Sequence, residues 1–242
     1  MDGVNSNIAE LEQAIRDFIN RPRQRHTLLQ HAAAWNKLCS ALDTIGDTDL
    51  AVCAYLDGSE ATPVDVRYLL VYGLLQVLQV QQDAVTALCD ALGVRHPRGK
   101  KLKEVRKIRD RSIGHPTGGK ENKAEISSFI SRASLDKSGF DLITSYDDGR
   151  PSDFVKVDVL ALINAQRVAL VDTLAAALEK LRADEMAHRK QHRDEKLAII
   201  FHPSLGYLMG KIFVACHASA LSPGAKAHVK MVADMLGIVY LT

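Results

Sequence analysis

Residues 62–93, TPVDVRYLLVYGLLQVLQVQQDAVTALCDALG, read as one long helix, and the fold follows from that reading. Thr62 is a residue type that caps helices, Pro63 suits the first turn, and Asp65 complements the positive end of the helix dipole. Gly93 supplies the stop, because glycine enters the left-handed conformation without steric cost. Apolar residues run most of the way round, as expected of a central helix with neighbours on several sides. The most apolar part, Tyr68 to Val80, is interrupted by Gln76 and Gln79 and is too short to cross a bilayer, which predicts a buried core helix and no membrane association.

Outward from this helix the same spacing recurs. Helices are predicted over 5–20 and 26–45, the second with Leu28, Leu29, Ala32, Trp35, Leu38 and Leu42 at three- and four-residue intervals, and a shorter one over 50–56. Another is predicted over 100–113, ended by Gly114 and Pro116. The texture then changes. Ser127 to Ser134 and Phe140 to Tyr146 are β-branched or aromatic and are joined by Leu135 to Gly139, which predicts a small hairpin at about 126–146. A long helix is predicted from Val157, with a stripe of Leu160, Ile163, Val168, Leu170, Leu174, Ala177 and Leu181. The fold class is therefore all-α in the main, an antiparallel helical bundle with a hairpin insertion and extra C-terminal helices. A first domain is expected over 1–181. Residues 182–242 would form a charged helix and an appendage with amphipathic segments over 203–216 and 224–236.

The chain has 242 residues, 47% of them hydrophobic, enough for a substantial core. A net charge of +2 excludes a global field that would drive the molecule onto nucleic acid or an anionic membrane, so any such attraction must be local. Cys39, Cys53, Cys89 and Cys216 are too dispersed for a zinc knuckle or redox pair and read as buried reduced thiols. The polar, acidic start MDGVNSNIAELEQ is no secretory signal, and the expected location is the cytoplasm.

One local field is present. From Arg95 to Arg111 nine of seventeen residues are basic, Arg95, Arg98, Lys100, Lys101, Lys103, Arg106, Lys107, Arg109 and Arg111, opposed only by Glu104 and Asp110. Such a concentration attracts a phosphate polymer in a salt-dependent way, although it is equally what a solvated helix face carries. Leu102, Val105, Arg109 and Ile113 are spaced by three, four and four, so Arg109 occupies a place on the apolar stripe, where a charge is costly unless paired or used. His115 lies six residues beyond Arg109, about 240° away on a continuing helix. Gly114 and Pro116 are expected to break the helix instead and to return the imidazole towards Arg109. A histidine that takes or gives a proton and a guanidinium that stabilises charge on phosphorane oxygens suit cleavage of RNA by its own 2'-hydroxyl, and no cofactor is needed for that.

The string RDRSIGHP, Arg109 to Pro116, resembles the signature of the HEPN family (higher eukaryotes and prokaryotes nucleotide-binding domain), an Arg and a polar residue followed four to six residues on by a His. Its setting at a helix end, after the long helix with QQDAV at 81–85 and before a hairpin and a further helix, is similar to bacterial HEPN-like proteins over about residues 25–180. The resemblance implies a metal-independent endoribonuclease of toxin–antitoxin or phage-defence type, acting as a homodimer with a shared cleft, with an antitoxin or defence partner. It implies Arg109 as the phosphate and transition-state group, His115 as acid or base, and Asp110, where the family often has Asn, as the residue that orients them. It also admits a catalytically inactive module that binds RNA, nucleotide or a protein.

A competing constellation is Glu185, His188 and His192, one helix face of metal-ligand type amid charged residues. No Gly-rich phosphate loop and no nucleophile elbow occur. A helical scaffold that recruits a partner through 203–236 is a third possibility.

Overall fold

The computed structural model describes residues 6–29, 32–59, 62–96, 99–121 and 124–193. Helices α1 (Ser6–Ile19), α2 (Pro22–Leu29), α3 (Ala32–Asp57), α4 (Val64–Leu92) and α5 (Lys100–Arg109) come first. A π-helical turn (Asp110–Gly114) continues α5. Strands β1 (Gly119–Glu121), β2 (Ala124–Ile130), β3 (Gly139–Tyr146) and β4 (Asp153–Asp158) precede α6 (Val159–Gln191). The chain is mainly helical with one antiparallel sheet of order β1-β2-β3-β4. Contacts divide it into two units, Met1–Arg182 and Ala183–Thr242. Of the second, residues 183–193 are described, and the segments expected over 203–236, with Cys216, lie outside the described residues.

Helix α4 is where expected, with differences at its ends. It begins at Val64, Pro63 occupies the capping position, and the Thr62 hydroxyl donates to the Ser59 carbonyl instead of capping α4. Gly93 ends it at φ 64, the left-handed conformation that glycine tolerates. The segment expected as one helix over 26–45 is two, and the short helix over 50–56 is the end of α3, which runs through Gly46. A helical glycine costs only about 1 kcal/mol relative to alanine, and α3 offsets it with eight buried residues. The hairpin is a four-stranded sheet. Lys120 of β1 pairs with Glu125 of β2, and Val157, expected to start the last helix, lies in β4 beside Phe140, one residue before its end.

Two apolar clusters form the core. Ile8, Ile15, Leu38, Leu42, Leu88, Leu170 and Leu174 belong to one, and Val52, Leu75, Leu78, Phe140, Leu142, Val157 and Ile163 to the other. All three long helices contribute to both, and each carries two buried polar residues where it passes between them: Thr48 and Asp49, Gln81 and Gln82, Gln166 and Arg167. Helix α6 is long and apolar enough to span a membrane by length and composition alone. Its inward face, with Gln166 and Arg167 held by α4 and α3, is that of a core helix. Leu160 and Val168, expected on its buried stripe, are exposed. Cys89 is buried, and burial pushes its thiol up to about 11, while Cys39 and Cys53 are half-buried; all three are free thiols.

Candidate nucleic-acid interface

Helix α5 lies against α4 through Leu102 and Val105, and this leaves its basic residues on other faces. Its arginines are held by α4. Arg106 donates from Nε to Gln82 Oε1 at 2.8 Å and pairs through a terminal nitrogen with Asp83. Gln82 in turn donates to Gln166 Oε1 (2.8 Å), and Gln166 donates to Gln81 Oε1 (2.9 Å), so a buried chain of amides stands behind Arg106. Arg109 donates to Gln76 Oε1 from Nε and Nη2, at 3.2 and 2.7 Å, and from Nη1 to Asp110 Oδ1 at 2.9 Å. Its side chain is 19% exposed, so the guanidinium expected on an inward position is paired there.

The helix does not simply stop at Ile113. It widens into the π turn, and the His115 N–H donates to the Asp110 carbonyl at 2.7 Å, an i to i−5 bond. Such turns are rare and frequent at functional sites. Here the wider ring joins the His115 backbone to that of Asp110. Gly114 keeps a negative φ, so its expected left-handed exit does not occur. Glycine matters for closeness instead: a Cβ there would lie 2.5 Å from Arg109 Nη1, so the guanidinium keeps this position only while the Cβ is absent. Beyond the turn, Ser128 N–H donates to the Pro116 carbonyl at 2.6 Å, which ties β2 to the chain that carries His115.

A groove of about 380 Å³ opens at this junction, lined by Lys103, Arg106, Lys107, Asp110, Arg111, His115 and Lys120, with Gly119 and Ile126 on its sheet side. Four of the eight expected RNA-binding residues therefore meet. Arg95, Lys100 and Lys101 are exposed elsewhere, and Arg98 lies outside the described residues. His115 and Asp110 share the groove. Arg109 does not line it, and reaches it only through its bond to Asp110. Arg109 is linked to the groove by a relay, Gln76 to Arg109 to Asp110, and the π turn sets the His115 backbone on the residue five before it. Lys120, Gln76 and Gln82 are not among the site residues expected from the sequence. For Lys120 a signal existed, a cation five residues after His115, but only the antiparallel pairing of β1 with β2 places it at the groove.

The alternative metal constellation does not assemble. Glu185 accepts from Arg189 Nε at 2.9 Å and the rings of His188 and His192 stack with centroids 4.3 Å apart. No group of three His, Cys, Asp or Glu fit to hold a metal occurs among the described residues.

Fold and site together define a mainly helical protein with a small antiparallel sheet and a cationic groove at their junction. Protein-family models, curated proteins and solved structures yield no match to the chain.

Proposed function

We propose that the chain is a metal-independent endoribonuclease of HEPN type, with RNA bound in the groove beneath His115. The observation that carries this reading is the convergence of a histidine with Lys103, Arg106, Lys107, Arg111 and Lys120 on one groove. Cations there hold a phosphodiester and meet charge as it develops on the phosphorane. His115 removes the 2'-hydroxyl proton, or returns one to the leaving 5'-oxygen. The 2'-oxygen bonds to phosphorus, the P–O5' bond breaks, and a 2',3'-cyclic phosphate and a 5'-hydroxyl result. Arg109 positions Asp110 against this groove.

The reading includes a homodimer. Leu69, Tyr72, Gly73 and Gln76 follow one face of α4 at three- and four-residue spacing; Leu69 is 72% exposed, and Gln76 on that face holds Arg109. A second copy seated there would bring Arg109 to the seam.

The test incubates native protein and the His115→Ala variant with total RNA in EDTA. Products ending in 2',3'-cyclic phosphate from the native protein only are expected; intact RNA in both would overturn the enzymatic reading. A second reading, an RNA-binding module without activity, is favoured by the engagement of Arg109 with Gln76 and Asp110, and it is recognised by binding without cleavage.

A further inference from the structure

We propose that the solvent face of the sheet is a base-stacking platform for single-stranded RNA, built on Phe129 and Phe154 and continuous with the groove. This rests on the reading of the groove as an RNA site. The register sets Phe129 opposite Ile143 and Ile143 opposite Phe154, so three apolar residues form one row across β2, β3 and β4. On β2 and β3 the neighbours along the strands, Ile130 and Leu142, point into the core, and on β4 Val157, three residues from Phe154 and so on the opposite face, does the same. The row therefore points to water, with Phe129 54% and Phe154 72% exposed. Both rings stand on paired strands, roughly 10 Å apart at the backbone, and are presented at little conformational cost.

The surroundings favour a nucleic acid over a protein. The serines Ser127 and Ser145 flank the row as cross-strand partners, and the nearby carboxylates Glu125 and Asp141 each face a lysine, Lys120 and Lys156, across a strand pair. Phosphates therefore meet no uncompensated carboxylate in those rows. The two rings expose on the order of 250 Å² of aromatic surface, whereas a stable protein interface needs about 800 Å² from each partner. Stacking a base on one ring needs no such area and suits any sequence. A four-stranded sheet with exposed aromatics is also an arrangement on which unpaired bases stack.

Continuity comes from Lys120. It lines the groove and also stands opposite Glu125, on the sheet face that bears Phe129. Phe129 lies four residues along β2 from Glu125, about 13 Å at strand rise. A single strand that leaves the groove past Lys120 reaches the row, whereas a duplex has no unpaired base to offer it.

The test is fluorescence anisotropy with a labelled single-stranded 2'-O-methyl oligonucleotide of about twelve nucleotides, whose nucleophilic hydroxyl is blocked, against native protein, Phe129→Ala, Phe154→Ala, Phe154→Trp and Lys107→Glu. Each alanine variant is expected to weaken binding by about 5- to 150-fold and to leave the salt dependence unchanged, since no charge is removed. Phe154→Trp is expected to keep the affinity, with its added indole emission quenched by the oligonucleotide. Alanine variants that bind like the native protein while Lys107→Glu binds weakly would overturn the platform and leave the groove standing. Absence of binding by the native protein would overturn both. A change in sedimentation mass on removal of either ring would assign the row to a second copy of the chain and overturn the proposal.

Discussion

Gly114 shows how much one missing Cβ decides. The backbone there is not left-handed, so alanine is conformationally acceptable, but its Cβ would collide with the far end of Arg109 and crowd Asp110 Oδ1 at 3.2 Å. Gly114→Ala is expected to cost no more than about 1 kcal/mol in calorimetry, since a flexible side chain moves aside. RNA cleavage should nevertheless fall, because the displaced guanidinium no longer holds Asp110 at the groove. Asp136 is a second residue-scale case. Its carboxylate accepts from the Ser138 hydroxyl and from the N–H groups of Ser138 and Gly139, with Arg67 nearby, and is held below the usual aspartate range. A lowered folded-state value means that the stabilisation is present above the ordinary pKa of about 3.9 and is lost as pH falls through the folded value. A carbon-detected NMR titration is expected to place the Asp136 midpoint under 3.9, and Asp136→Asn to remove this contribution to the acid limb of stability.

At the scale of elements, α4 organises the site from behind. Gln76 and Gln82 are spaced by six and each accepts from an arginine of α5, so the orientation of α5 is written into α4 as amides among apolar residues. Gln82 also donates to Gln166, whose own amide donates to Gln81 and to the Leu78 carbonyl, so a run of buried side-chain amides links α4 to α6. Gln82→Leu strands the oxygen of Gln166 and one donor of Arg106 at once. A loss of about 1–3 kcal/mol in urea unfolding is expected, the usual cost of a buried polar group left alone, together with weaker RNA binding. The π turn belongs to this scale too. Pro116 and Gly114 mark a helix end in the sequence, but the widened ring is closed by the His115 N–H on the Asp110 carbonyl and is followed at once by the Ser128 N–H that fastens Pro116 to β2.

For the first unit as a whole, the decisive feature is the polar layer between the two apolar clusters. Asp49 and Arg167 are both more than nine-tenths buried and form an ion pair at 3.7 Å, longer than a hydrogen bond, with Arg167 also donating towards Cys53 Sγ at 3.5 Å. Burial holds the Asp49 carboxyl above its usual range, and Arg167 opposes that shift. Asp49→Leu or Arg167→Met alone is expected to destabilise by about 3–5 kcal/mol, because each leaves a buried charge uncompensated, whereas the double variant should cost less than either. A double-mutant cycle in urea measures the difference, and additive losses would show that the pair acts through packing alone. A layer that polar fixes the register of α3, α4 and α6 against one another, since a slip of one turn would bury the charges and amides without partners.

The sequence by itself determined the helical class, the extent of α4 with its Gly93 stop, the strand pair around residues 127–146, and the basic run that ends at His115. All of these follow from local periodicity, turn chemistry and charge density, which act over one or two turns of chain. Tertiary structure alone decided the order of the four strands, the merger of residues 50–56 into α3, and the company each site residue keeps. Arg106 and Lys120 join His115 while Arg109 turns to Gln76, because hydrogen-bond partners more than twenty residues distant, and the register of β1 on β2, leave no trace in local spacing.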